Sequence, residues 1–72
     1  MNKFKIIKRY RRPYESCFHM ECLEFCDTLD QAVEYMKSLA KKLEKGGTEN
    51  VYYDQYLQKI NTDFCTEYFI SE

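Results

Sequence analysis

Three of the four cysteines and the single histidine lie within the eleven residues SCFHMECLEFC (residues 16–26). Thiolate and imidazole groups are the ligands that zinc prefers, so this stretch raises the question of a metal site. On an extended strand, however, Cys17 and His19 lie on one face and Cys22 on the other. Cys22 and Cys26 are then roughly 13 Å apart. We therefore predict that the four side chains do not bind one zinc ion and that the thiols pack as small hydrophobic groups.

Two features keep a metal site open as an alternative. A bend near Cys22–Glu24 would bring the ligands closer together, and Cys65 could supply a further thiolate from the last strand.

The same residues raise the question of catalysis. Cys17 and His19 could act as nucleophile and base, since they lie side by side on one strand face. No residue that the sequence identifies would orient the imidazole, and no glycine-rich turn supplies an oxyanion hole. No phosphate loop, dinucleotide fingerprint or C-x-x-C pair is present, so we predict a protein without catalytic activity or cofactor.

The first twelve residues carry six basic groups and no acid, although the net charge of the chain is −1. Basic groups near aromatic rings are typical of nucleic-acid binding. The candidate phosphate-binding residues are Lys5, Arg9, Arg11 and Arg12. Nucleic-acid-binding domains are usually basic overall, so we favour the other interpretation, an edge strand protected by its charges.

Acidic residues and tyrosines predominate at the other end of the chain. Residues 46–72 carry five acids and a single cation, Lys59. Tyrosine supplies rigid contact area with a polar tip, and carboxylates can occupy the phosphate-binding groove of a partner. A solvated hairpin is the alternative interpretation. With His19 added, the candidate partner-binding residues are His19, Tyr52, Asp54, Tyr56, Asp63 and Glu67.

These side chains need strands to position them. Alternation of polar and apolar residues predicts strands over 3–11, 15–22, 50–60 and 64–70. In the second strand the alternation breaks after Cys22, where Leu23 and Phe25 fall on the wrong face, so we predict a bulge near Cys22–Glu24. In the last strand, Phe64, Tyr68 and Ile70 are expected to face inward and Glu67 outward.

One helix is predicted over 28–45. Thr28 with Gln31 three residues later fits a capping box, and Asp30 suits the first turn. The apolar positions recur every three or four residues and form one stripe, and Gly46 is a natural stop.

The predicted order is β-β-α-β-β, an α+β fold in which one helix packs on one face of a four-stranded antiparallel sheet. Its 72 residues form a single domain, 1–72. The sheet face without a helix is then too apolar for a fully wetted surface, which predicts a protein partner or a homodimer through that face. The residues expected there are Ile7, Cys17, His19, Tyr52, Tyr56 and Phe69.

The N-terminal residues MNKFKIIKRY contain no apolar run long enough for a signal peptide or a membrane span. We therefore expect a cytoplasmic protein that has no membrane partner. Its cysteines are then expected to be reduced thiols.

In general character the chain is similar to the small proteins by which bacteriophages and mobile elements inhibit host defences, the anti-CRISPR proteins among them. The shared traits are one short domain, acidic balance, many tyrosines, a compact α+β order and no catalytic set. The resemblance implies an inhibitor that binds an effector, such as a CRISPR-associated nuclease, and blocks its nucleic-acid channel. The class shares no motif, so the resemblance assigns no residue.

Overall fold

The computed structural model describes residues 3–48, 50–62 and 65–72. It confirms an α+β fold with one helix on one face of an antiparallel sheet, but the sheet has five strands rather than four, in the order β2-β1-β5-β4-β3. The elements are β1 (Phe4–Tyr10), β2 (His19–Cys26), α1 (Leu29–Lys45), β3 (Tyr52–Asp54), β4 (Lys59–Asn61) and β5 (Thr66–Ser71).

The fifth strand arises because the strand predicted over 50–60 is a hairpin. β3 and β4 pair antiparallel across a turn over residues 55–58. The Asp54 carboxylate accepts hydrogen bonds from the backbone amides of Tyr56 and Leu57, which closes the turn. The turn ends at Gln58, whose φ of 50° is left-handed. Tyr53 and Ile60 consequently lie opposite each other on the same side of the sheet, although an uninterrupted strand would separate them.

β1 lies inside the sheet, between β2 and β5. The interpretation of this basic strand as a charge-protected edge is therefore wrong. The edges of the described sheet are β2 and the three-residue β3. Basic side chains are tolerated in an interior strand here because one face of the sheet carries no helix, so Lys5 and Arg9 can reach solvent.

β2 begins at His19, four residues later than predicted, because a turn precedes it: the amide of Glu15 donates to the carbonyl of Arg12. The predicted bulge is confirmed. Ile6 lies opposite Glu24 and Ile7 opposite Cys22, so Leu23 is the extra residue. The bulge returns Leu23 to the core and buries Cys26 at the end of the strand.

The helix begins and ends nearly as its sequence predicts. Thr28 is the N-cap, and its hydroxyl accepts a hydrogen bond from the amide of Gln31. At the other end, the amides of Gly47 and Thr48 donate to carbonyls of the last turn. Gly47 has a φ of 87°, so this second glycine, rather than Gly46, adopts the left-handed conformation of a Schellman cap.

The core lies between α1 and the sheet. Its fully buried large side chains are Ile6, Met36 and Ile60, and Tyr68 from β5 is also buried. Ile70 packs against this core and Glu67 lies on the opposite face, as predicted. Phe64 and Asp63 lie outside the described residues. In the described part of the chain, no helix has the length and apolar character needed to cross a membrane.

Candidate interaction surface

The sheet face that points away from α1 is the candidate site, and we call it the open face. Side chains directly opposite each other on neighbouring strands point to the same side of a sheet, so the strand pairings define this face. One row across it runs Met20, Arg9, Glu67, Asn61 and Tyr52. The next row runs Cys22, Ile7, Phe69, Lys59 and Asp54. A third row holds Phe25, Lys5 and Ser71.

Large apolar side chains on this face are exposed. Met20 is 64% exposed, Phe25 51% and Tyr52 63%. Ile7 and Phe69 lie opposite each other between them and are half-buried. Two further groups stand at the rim: Phe18, which precedes β2, and Leu57, in the β3–β4 turn. The proportion of apolar residues on the open face is therefore similar to that of many protein–protein interfaces, yet no element of the described chain covers this face.

An ion-pair cluster occupies the middle of the open face. The Glu67 carboxylate accepts from Arg9 Nη1 at 3.0 Å and lies 3.0 Å from Lys59 Nζ. Two cations share one carboxylate, so the cluster keeps one net positive charge. The Glu67 side chain is only 19% exposed, which makes this pair better shielded from solvent than a typical surface ion pair.

The Phe18 ring packs against the cluster by stacking on the Arg9 guanidinium. Its ring centroid is 4.1 Å from the Arg9 guanidinium carbon and 5.6 Å from that of Arg11. Cations over aromatic faces are attracted by the ring quadrupole, so Arg9 is fixed by both Glu67 and Phe18. Shallow grooves lie on both sides of the cluster, one toward Cys65 and one toward Leu57.

The residues predicted to bind a partner fall into separate places. Tyr52 and Glu67 lie on the open face, but Glu67 is already paired with two cations. Asp54 belongs to the same face and is used to close the β3–β4 turn. Tyr56 lies at the tip of that turn, 99% exposed, rather than on the sheet. Asp63 lies outside the described residues.

His19 does not lie on the open face, and that prediction is wrong. It pairs with Tyr10, which points to the same side as Ile6, and its ring stacks on the Tyr10 ring at 5.3 Å. Its Nε2 pairs with the Glu15 carboxylate, which also accepts from Arg12. The hydrogen bond from His19 is the main reason why the pKa of Glu15 is lowered, and Arg12 adds to the effect. We call Tyr10, Arg12, Glu15 and His19 the loop cluster, because their contacts anchor the connection between β1 and β2.

The candidate phosphate-binding residues are also dispersed. Arg9 is paired within the cluster described above. Arg11 donates to the Glu15 carbonyl and approaches Cys65 Sγ at 3.5 Å, and Arg12 pairs with the Glu15 carboxylate at 3.2 Å. Among the described residues, Lys5 alone of the four has no such polar partner. Three of the four cations are thus already engaged inside the chain.

The cysteines are placed differently from one another. Cys26 is buried, and burial raises the pKa of its thiol, so it packs as a protonated hydrophobic group. Cys17, Cys22 and Cys65 are exposed, so the expectation that the thiols pack as small hydrophobic groups is wrong for these three and holds for Cys26. Within residues 3–48, 50–62 and 65–72, no three histidine, cysteine or acidic side chains come together in a way that could hold a metal ion. That Cys17, His19, Cys22 and Cys26 do not together bind one zinc ion stays a prediction, which metal analysis would test.

Sequence reasoning missed Met20 and Phe25 on the open face and assigned His19 to that face instead. The pairing of Arg9 with Met20 reverses this assignment. A usable signal was present, since Ile7 was correctly placed on the face without a helix, and Lys5 and Arg9 lie two residues to either side of it in the same strand. Pairing β1 with β2 across a short loop would have put Met20 and Cys22 beside them.

Comparison of the chain with models of protein families, with curated proteins and with solved structures found no match.

Proposed function

We propose that this protein is a non-catalytic binding module that docks a partner protein on its open face and acts by occupying a surface of that partner. The observation that carries the proposal is the exposure of Met20, Phe25 and Tyr52 around a fixed ion-pair cluster. Protein interfaces combine an apolar centre rich in aromatic residues, methionine and arginine with a polar rim. The open face contains such aromatic, methionine and arginine side chains, but they surround a charged centre instead of lying inside a polar rim.

The energetics favour burial of this face. Completely burying a phenylalanine or methionine side chain contributes about 1.5–3 kcal/mol, so side chains that are half exposed retain roughly half of that contribution for a partner. Arg9 is already held by Glu67 and by Phe18, so binding would cost little additional side-chain entropy at this position. Arg9 is thus already oriented for binding, and the rings of Phe25 and Tyr52 are already exposed, so a partner can dock without rearranging the sheet.

The class of partner comes from the resemblance to inhibitors of host defence, and the carboxylates beside the open face, rather than its net-positive centre, support it. Residues 13–34 carry six acids and no lysine or arginine, and Glu21 and Glu24 among them lie on the exposed edge strand. Carboxylates next to an apolar docking face suit a partner whose surface normally contacts phosphate groups. We propose an effector such as a nuclease, whose nucleic-acid channel would be occluded.

Binding of nucleic acid by the basic strand is less well supported, because Arg9, Arg11 and Arg12 have partners within the chain. Salt dependence distinguishes the two functions. A protein that neutralises about four phosphates loses affinity with a log–log slope near −3 to −4. We expect no measurable binding to labelled DNA or RNA in fluorescence anisotropy, and a slope of that size would favour the nucleic-acid function instead.

The direct test is capture of a partner by variants of the open face. We expect M20S and F25S to lose a partner that the parent protein enriches from an extract of its source cells, with little change in melting temperature. Tyr14 is 80% exposed and lies outside the sheet, so Y14S is the matched control and should capture normally. If M20S and F25S enrich the partner as well as Y14S does, the open face is not the binding surface. Sedimentation velocity separates a homodimer from a hetero-complex.

A further inference from the structure

The outer edge of β2 is a second surface with a defined chemistry. β2 has eight residues, the longest strand of the described sheet, and it pairs only with β1. A strand at a sheet edge presents unpaired N–H and C=O groups that can accept another strand. The opposite edge, β3, has only three residues, so it offers far fewer of these groups.

The side chains of β2 restrict which strand could be added. Glu21 lies opposite Lys8, on the side of the sheet that carries the helix, and Glu24 lies opposite Ile6 at the bulge. Both glutamates are exposed, and among the described residues no ion pair joins either carboxylate to a cation, although the Glu24 carboxylate accepts a hydrogen bond from the Phe25 amide at 3.1 Å. Met20 and Phe25 point to the open face from the same strand. The edge therefore offers carboxylates toward one side and apolar groups toward the other.

Self-association through this edge is disfavoured by the same charges. Antiparallel pairing of β2 with a second copy would place Glu21 against Glu24, Glu21 against Glu21 or Glu24 against Glu24 in its centred registers. Like charges directly opposite each other destabilise a strand pair. The occupant that complements the edge has cations where β2 has carboxylates.

β1, which pairs with the inner edge of β2, shows one such match, since Lys8 lies opposite Glu21. At the other positions β1 differs from the occupant described here, because Ile6 lies opposite Glu24 and the cations Lys5 and Arg9 lie opposite Phe25 and Met20. The exposed side chains of β2 itself therefore define the strand that would complement the outer edge.

We propose that the outer edge of β2 binds an extended segment of the partner, with alternating basic and apolar residues, as a sixth strand of the sheet. The backbone of the segment pairs with β2, its cations lie beside Glu21 and Glu24, and its apolar residues extend the open face beside Met20 and Phe25. This inference rests on the proposed function, since it names the chemistry of the partner segment.

The test uses a fluorescein-labelled, capped heptapeptide of alternating lysine and valine, about 23 Å long when extended, which fits within β2. We expect it to bind in fluorescence anisotropy and to slow hydrogen exchange at those β2 amides that point away from β1. A peptide with glutamate in place of lysine should not bind. A lysine–valine peptide with N-methylated valines, which removes backbone donors, should bind at least about fivefold more weakly, and so should the protein variant E21Q/E24Q.

Equal binding of the N-methylated peptide, or exchange protection at β3 or α1 instead of β2, would overturn the inference. The variant F25S separates it from the proposed function. Loss of partner capture in F25S together with absence of peptide binding by the parent protein would overturn the edge-strand inference alone. Normal partner capture in both F25S and M20S would overturn the proposed function even if the peptide binds to β2.

Discussion

The two faces of the sheet carry similar side chains but have different surroundings. On the helix side, Ile6 and Ile60 lie under Met36, and all three are fully buried. On the open face, Ile7 and Phe69 lie one residue away from buried positions in the same strands, yet Met20 and Phe25 beside them remain half or more exposed. A domain of 72 residues with one helix can cover only one face. The apolar residues on the other face are therefore expected to contribute less to folding, which agrees with the binding role that we propose for them.

The largest effect should come from the covered face. Met36→Asp would place an unpaired carboxylate in the core, which costs several kcal/mol, whereas a domain of this length is stabilised by roughly 4–11 kcal/mol in total. We expect the variant to be unfolded by circular dichroism at room temperature. Lys37→Asp changes the next, exposed residue of α1 and should stay folded. A Met36→Asp variant that melts like the parent would show that the helix does not cover this face.

The two faces can be compared directly within one strand. Ile6→Ala should lower the free energy of unfolding by about 2–5 kcal/mol, since Ile6 is fully buried beneath the helix. Ile7→Ala removes the same atoms from the open face and should lower it by about 1 kcal/mol, because Ile7 is only half-buried. Urea unfolding of both variants measures the difference. Equal losses would mean that the two faces contribute equally to folding.

A smaller effect is expected from the ion-pair cluster. A double-mutant cycle with Arg9→Met and Glu67→Gln should give a coupling of about 0.2–1 kcal/mol, near the upper end because Phe18 and Lys59 restrict both partners. Chemical denaturation at low and high salt provides the measurement. A coupling of zero would show that Glu67 does not hold Arg9 in the free protein, and the open face would then not be preorganised by this ion pair.

The smallest effect concerns the loop cluster. Because the pKa of Glu15 is lowered from its ordinary value of 4.5, this carboxylate stabilises the fold above that pH, and the stabilisation disappears as pH falls through the lowered pKa. The melting temperatures of the parent and of Glu15→Gln should therefore differ near neutral pH and converge in acid. A difference that grows as the pH falls below 4.5 would contradict the assignment.

The sequence predicts the covered face much better than the open one. The α1 stripe and its Thr28 cap depend on neighbours three or four residues away, which a single sequence displays. The facing of β2 depends on a bulge and on its pairing with β1, and the hairpin at residues 55–58 depends on the Asp54 side chain accepting two backbone amides. Such features are decided by contacts between strands and within turns. For that reason His19 was assigned to the open face in error and Met20 was overlooked.

Carbene footprinting of the protein alone and in complex with its purified partner tests the central claim most directly. Mass spectrometry then reports the labelling of individual side chains. We predict that labelling of Met20, Phe25 and Tyr52 falls in the complex, while labelling of Tyr14 and Leu29, which are exposed outside the open face, is unchanged. Protection of Leu29 with unchanged labelling at Met20 and Phe25 would contradict the account, because the partner would then bind on the helix side of the molecule.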